Sequence, residues 1–182
     1  VEGGAVVLHD AEADKKLRLL RSFGHVGDEH FSLGMNAKMS EVHAAMGMAI
    51  LPHMEANIAE RAALCERYDK LLAGLSLERP TLPEGTGYNH AYHPIMLRNA
   101  AEREGLLACL AEGNIHGRRY FYPSLDSLPY VRSGFCPMSR DLAERALCLP
   151  LFNGMDEGAQ DRVISGVKGF IEHAGSALPM NT

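Results

Sequence analysis

Hydrophobic positions in this chain fall into short blocks whose spacing shifts between strand and helix periods. Residues 5–8 are an apolar, β-branched run behind two glycines and predict a buried strand, ended by His9 and Asp10. Residues 11–22 then carry helical periodicity. Residues 23–38 hold Gly24, Gly27 and Gly34 among polar residues, which predicts a loop long enough to be functional. Ser40 is placed to cap a helix over 41–51, whose second half is apolar on every side and so demands partners from several directions. Pro52 marks a break or a new first turn. Beyond it Met54, Ile58, Cys65, Tyr68 and Leu72 recur at helical spacing opposite Glu60, Arg67 and Lys70, giving a long amphipathic helix that ends near Gly74.

Pro80, Pro83, Gly85 and Gly87 punctuate the next stretch, and residues 75–87 are the best candidate domain boundary. After it the pattern predicts a strand at 92–97, a helix at 101–112, a strand near 115–120, a helix at 140–147 capped by Ser139, and a helix at 157–173 capped by Asp156. Val163, Ile164, Val167, Phe170 and Ile171 form the apolar face of the last helix. Residues 175–182 lack periodicity and are expected to fray.

Composition narrows the field of functions. With 182 residues, 46% apolar and 23% charged, the chain can bury one core or two modest ones. A net charge of −5 with scattered basic residues offers no footprint for nucleic acid. The longest apolar run, 44–51, is far short of the roughly 20 residues that cross a bilayer, so the expectation is a soluble, cytoplasmic protein with no membrane partner. Cys65, Cys109, Cys136 and Cys148 show no C-x-x-C spacing and read as reduced, packed thiols. His90 and His93 are three apart, which on a strand points them to opposite faces, and no metal site is expected there. The first residues carry no initiator Met, basic segment or signal-like apolar stretch, and the expectation is that the chain began earlier.

No dinucleotide, P-loop, nucleophile-elbow or zincin motif is present. Four segments taken together are more specific: V-E-G-G-A-V-V at 1–7, G-M-N-A-K-M-S-E-V-H-A-A-M-G at 34–47, G-R-R-Y-F-Y-P-S-L at 117–125 and C-L-P-L-F at 148–152. In this order they resemble the DegT/DnrJ/EryC1/StrS aminotransferases over nearly the whole chain, and the N-A-K-M-S-E and R-R-Y-F-Y-P wording is similar to enzymes that aminate dTDP-linked keto-deoxysugars.

The resemblance implies an α/β fold, the C-terminal portion of a fold-type I PLP-dependent transferase. Residues 1–78 would be the end of the large PLP-binding domain with the long connecting helix, 79–175 a small C-terminal α+β domain, and 176–182 a disordered tail. It implies a homodimer using pyridoxal 5'-phosphate, a nucleotide-sugar substrate and an amino-acid donor, typically glutamate. The family lysine that holds PLP normally stands a few residues before the E-G-G turn, here Glu2, Gly3 and Gly4. Lys15, Lys16, Lys38, Lys70 and Lys168 do not stand in that context, so no catalytic residue is assigned in this chain and the chain alone is expected to be inactive.

By the same resemblance Asn36 reaches across the dimer to the cofactor phosphate, and Lys38, where many relatives carry Arg, faces PLP or substrate phosphate. Tyr120, Phe121 and Tyr122 fall on the loop lining the sugar pocket, with Tyr120 and Tyr122 the substrate-binding candidates; Phe121 stands where many relatives have His. Two rival readings stay open: a PLP-dependent sugar dehydratase of the same superfamily, and a non-catalytic dimerisation or binding module.

Overall fold

The computed structural model describes residues 2–132 and 134–176. They form two compact units, Val1–Glu55 and Ala56–Thr182.

The first unit begins with an extended segment. No strand forms over residues 5–8, and Val7 is 80% exposed. A strand is stable only when its backbone groups find a ladder partner, and among the described residues nothing pairs with this run. Helix α1 (Ala11–Leu20) starts where Asp10 accepts hydrogen bonds from the backbone N–H groups of Glu12 and Ala13. The expected loop over 23–38 contains a small hairpin, β1 (His25–Val26) with β2 (Glu29–His30), turning at Gly27 and Asp28. Helix α2 (Glu41–Ile50) is capped by Ser40, whose Oγ accepts from the His43 N–H, and a 3-10 turn at Leu51–His53 carries Pro52. Gly24 is the one buried residue described in this unit.

The second unit is built on a sheet. Strands β3 (His93–Met96) and β4 (Ala146–Leu149) pair antiparallel, with Ile95 opposite Leu147. Single antiparallel bridges widen it on both sides, Glu78 to Met96 and Arg118 to Cys148. The strand expected near 115–120 is therefore reduced to its contact at Arg118. Helices α3 (Met54–Leu71), α4 (Ala100–Glu112) and α6 (Glu157–Ser176) supply the apolar side chains that close the core, among them Tyr68, Leu106, Leu110 and Val167. The last-helix face expected from the sequence is buried: Val163, Ile164, Val167 and Ile171 lie in the core and Phe170 packs against it.

Several polar groups taken into this core are paired, although Arg103 keeps Nε and Nη1 without an acceptor among the described residues. Tyr68 donates its hydroxyl to the Pro150 carbonyl at 2.9 Å, and Gln160 donates to the Leu64 carbonyl at 2.7 Å while accepting from Arg67. Asn153 ties the segment after β4 to α3 by donating to the Asn57 carbonyl and to Glu60. Asn99 caps α4 and Asp156 caps α6. Helix α5 (Pro137–Arg145) starts earlier than expected because Pro137 suits a first helical turn. Ser139 consequently lies inside the helix and caps nothing; its Oγ meets Ser124 Oγ at 2.8 Å. Helix α6 continues through Gly175 to Ser176, and the rest of the tail expected to fray, 177–182, lies outside the described residues.

Candidate functional site

In the first unit the 34–38 segment is held by backbone hydrogen bonds. Met35 N–H donates to the Leu20 carbonyl at 2.8 Å, Ala37 N–H donates to the Arg21 carbonyl at 3.0 Å, and Asn36 bridges Ser22. This needs two glycines. Gly24 has a φ of +76°, and a Cβ on Gly34 would fall 2.2 Å from the Gly24 nitrogen. The backbone is thereby fixed while the side chains stay outward. Asn36 is exposed and its amide makes no hydrogen bond to a described residue. Lys38 is exposed too, with Nζ 4.9 Å from the centre of the Phe23 ring. An amide donor and an ammonium, both free to bind, are suited to phosphate oxygens.

In the second unit a cleft of about 730 Å³ opens between β3, α5 and the loop after Arg118. Pro94, Met96, Tyr120, Phe121, Leu125 and Met138 line it, and no charged residue does. Its polar lining is Ser124 and Ser139, already bonded to each other. Behind Ser124 sits Asp126, which accepts from the Ser124 hydroxyl, the Cys136 N–H and Arg140. The Ser124 bond above all, with those from Cys136 and Arg140, lowers the Asp126 pKa to about 2.

Tyr120 enters this cleft with its ring tilted at 57° to that of Tyr92, centroids 4.7 Å apart; a side-chain hydrogen bond with Tyr120 raises the Tyr92 pKa. Tyr122 does not line the cleft. The Arg119 guanidinium lies 3.6 Å from its ring centre, and its hydroxyl makes no hydrogen bond to a described residue. Each candidate pair thus stays within its own unit: Asn36 with Lys38, and Tyr120 with Tyr122.

Sequence reasoning passed over Arg103, Arg119 and Asp126. Arg103 followed by Glu104 reads as a solvated helical pair, and only the structure places Arg103 in the core. Among the described residues no group of three or more metal-ligating side chains comes together. All four cysteines are free thiols.

The first unit thus carries a glycine-framed N-A-K loop and the second an aromatic loop at an apolar cleft. The chain belongs to the DegT/DnrJ/EryC1/StrS aminotransferase family, whose model matches residues 1–168. It is 32% identical to the dTDP-4-amino-4,6-dideoxy-D-glucose transaminase of Escherichia coli, a match covering 86% of this chain and 45% of the relative. It is also 32% identical to the UDP-N-acetyl-3-dehydro-alpha-D-glucosamine 3-aminotransferase of Acidithiobacillus ferrooxidans, over 92% of this chain and 46% of that one. The aminotransferase TlmJ from Streptoalloteichus hindustanus superposes with a TM-score of 0.83 at 23% identity, covering 92% of this chain and 47% of that structure. The fold is therefore the C-terminal portion of a fold-type I PLP-dependent transferase. The chain spans about half the length of the curated relatives it matches.

Proposed function

We propose that this chain is the C-terminal part of a PLP-dependent aminotransferase that moves an amino group from an amino acid, glutamate first, onto a nucleotide-linked keto-deoxysugar. The observation that carries the reading is the family match over residues 1–168, together with relatives whose names specify amination of nucleotide sugars. Residues 1–78 then belong to the end of the large domain with the connecting helix, and 79–175 to the small domain. The working enzyme is a cytoplasmic homodimer. No helix among the described residues is long and apolar enough to cross a membrane.

The residues present fit the phosphate end of PLP. Asn36 and Lys38 bind it as neutral and charged donors, and the backbone bonds of the 34–38 segment fix where they stand. When bound, PLP supplies the electron sink that lets an amino group and a proton leave one carbon and join another. None of the five lysines stands before an E-G-G turn, so we assign no covalent anchor in this chain, and by itself it is inactive. Tyr120 meets the substrate directly, and Tyr122 serves through the loop it shares with Tyr120. The uncharged lining keeps water from the reacting end of the sugar and gives no purchase to a diphosphate.

The test uses the full-length protein with a nucleotide 4-keto-6-deoxysugar and glutamate, read by mass spectrometry for an aminosugar nucleotide and 2-oxoglutarate. The reading expects both products in equal amounts, and failure to aminate any nucleotide keto-sugar overturns it. Asn36→Ala should weaken PLP retention after dialysis by about tenfold, the value of one lost hydrogen bond to a charged group. Retention equal to the parent makes Asn36 a turn residue only.

A further inference from the structure

Neighbours hold the 117–125 loop at three places, one of them Tyr120, whose carbonyl accepts from Cys148 Sγ at 3.8 Å and whose ring meets Tyr92. At Arg118 its N–H and carbonyl exchange hydrogen bonds with Cys148 on β4, at 3.0 and 2.8 Å. At Ser124 the side chain is held by Asp126 and Ser139. Between these points lie the rings that line the cleft, Tyr120 and Phe121, followed by Tyr122.

Tyr122 meets an arrangement that the proposed chemistry does not use. Arg103 on α4 is 1% exposed. Its Nη2 is 2.9 Å from Glu104 Oε1, but Nε and Nη1 have no hydrogen-bond acceptor among the described residues. Glu104 Oε1 is shared with Arg119 Nη1 at 3.2 Å, and Arg119 Nε is likewise buried and unpaired. Two guanidiniums are thus balanced by one carboxylate. Both face the same ring: Arg119 lies 3.6 Å and Arg103 5.8 Å from the Tyr122 centroid. An aromatic face attracts a cation within about 6 Å, most strongly where water is excluded. Here it takes up part of what the missing acceptors leave unsatisfied.

We propose that Arg103 and Arg119 clasp the Tyr122 ring and so set the position of Tyr120 and Phe121 in the cleft, which makes Arg103 a positioning residue. This rests on the reading that the loop meets the nucleotide sugar. The clasp runs from a helix in the core to Tyr122, a step of the loop that neither β4 nor Asp126 holds. It uses the face of the ring and not the hydroxyl, so phenylalanine satisfies it and leucine does not. A hydroxyl contact with the sugar makes the opposite demand.

The experiment compares Tyr122→Phe, Tyr122→Leu and Arg119→Met in the full-length protein; Arg103 lies in the core, so these half-buried and exposed positions carry the test. Hydrogen exchange of peptides spanning 118–125 should rise roughly three- to tenfold in Tyr122→Leu and Arg119→Met, the scale of a part-exposed cation–π contact. It should stay at the parent level in Tyr122→Phe, with α6 unchanged in all three. The KM for the keto-sugar nucleotide should rise in the two loosened variants while the half-reaction with the amino donor keeps its rate. Parent-like exchange in Tyr122→Leu, or damage in Tyr122→Phe equal to that in Tyr122→Leu, overturns the clasp. Faster exchange with an unchanged KM supports the clasp and overturns the reading of this loop as a substrate contact.

Discussion

Helices α2 and α6 are both rich in apolar residues, yet their surroundings differ completely. In α6 Val163, Ile164, Val167 and Ile171 are buried against α4 and the sheet. In α2 no residue is buried, and Met48 is 73% exposed. The second half of α2 is apolar all round, a composition suited to cover from several sides, whereas α6 has one apolar face and needs one neighbour. The second unit, Ala56–Thr182, supplies that neighbour from its own chain. The first unit, read by itself, supplies a shaped backbone and little core. Stability in this chain therefore resides in the second unit, and the first contributes an ordered loop with outward donors.

The largest effect that sharpens this contrast comes from core truncation. Leu106→Ala, at a site with no exposure, should cost about 2–5 kcal/mol by chemical denaturation, against roughly 0.5 kcal/mol or less for Met48→Ala. Equal costs would mean that α2 is packed as tightly as the core. Next in size, Tyr68→Phe removes the hydroxyl that satisfies the Pro150 carbonyl and should cost about 1–2 kcal/mol.

Smaller still is a pH effect confined to the second unit. His93 is fully buried beside Arg79, and burial, then Arg79, then His90 push its pKa down to about 3. The unfolded chain binds this proton at about 6.5, so between those values it holds more protons than the folded one. Stability is then complete above about pH 6.5 and falls as pH drops toward 3. His93→Gln should flatten the denaturation midpoint between pH 6.5 and 5. An unchanged slope in that variant would assign the loss to other groups.

Periodicity and caps made most of the second unit, and the cap of α2 in the first, legible in advance. The apolar face of α6, the long helix ending near Gly74 and the caps at Ser40 and Asp156 are local signals, each set by a few neighbouring residues. Features that depend on distant partners were not legible. Residues 5–8 have the composition of a strand but no ladder, and Ser139 has the chemistry of a cap but is taken by Ser124. Asn36, Lys38, Tyr120 and Tyr122 could be named as candidates from family wording. The buried Arg103 could not, because an Arg-Glu pair in a helix looks solvated until the fold turns it inward.

The central claim is that this segment holds donors for the cofactor phosphate and a substrate loop but no lysine that anchors PLP. The lysine environments support it: Lys15 pairs with Glu12, Lys38 lies over Phe23, and none follows the family context. The most direct measurement is titration of the 182-residue chain with PLP, borohydride reduction and peptide mapping of every lysine. The account predicts weak, unsaturable labelling spread over the exposed lysines, with no turnover of a nucleotide keto-sugar. One stoichiometric, saturable adduct at a single lysine, accompanied by formation of an aminosugar nucleotide, would contradict it.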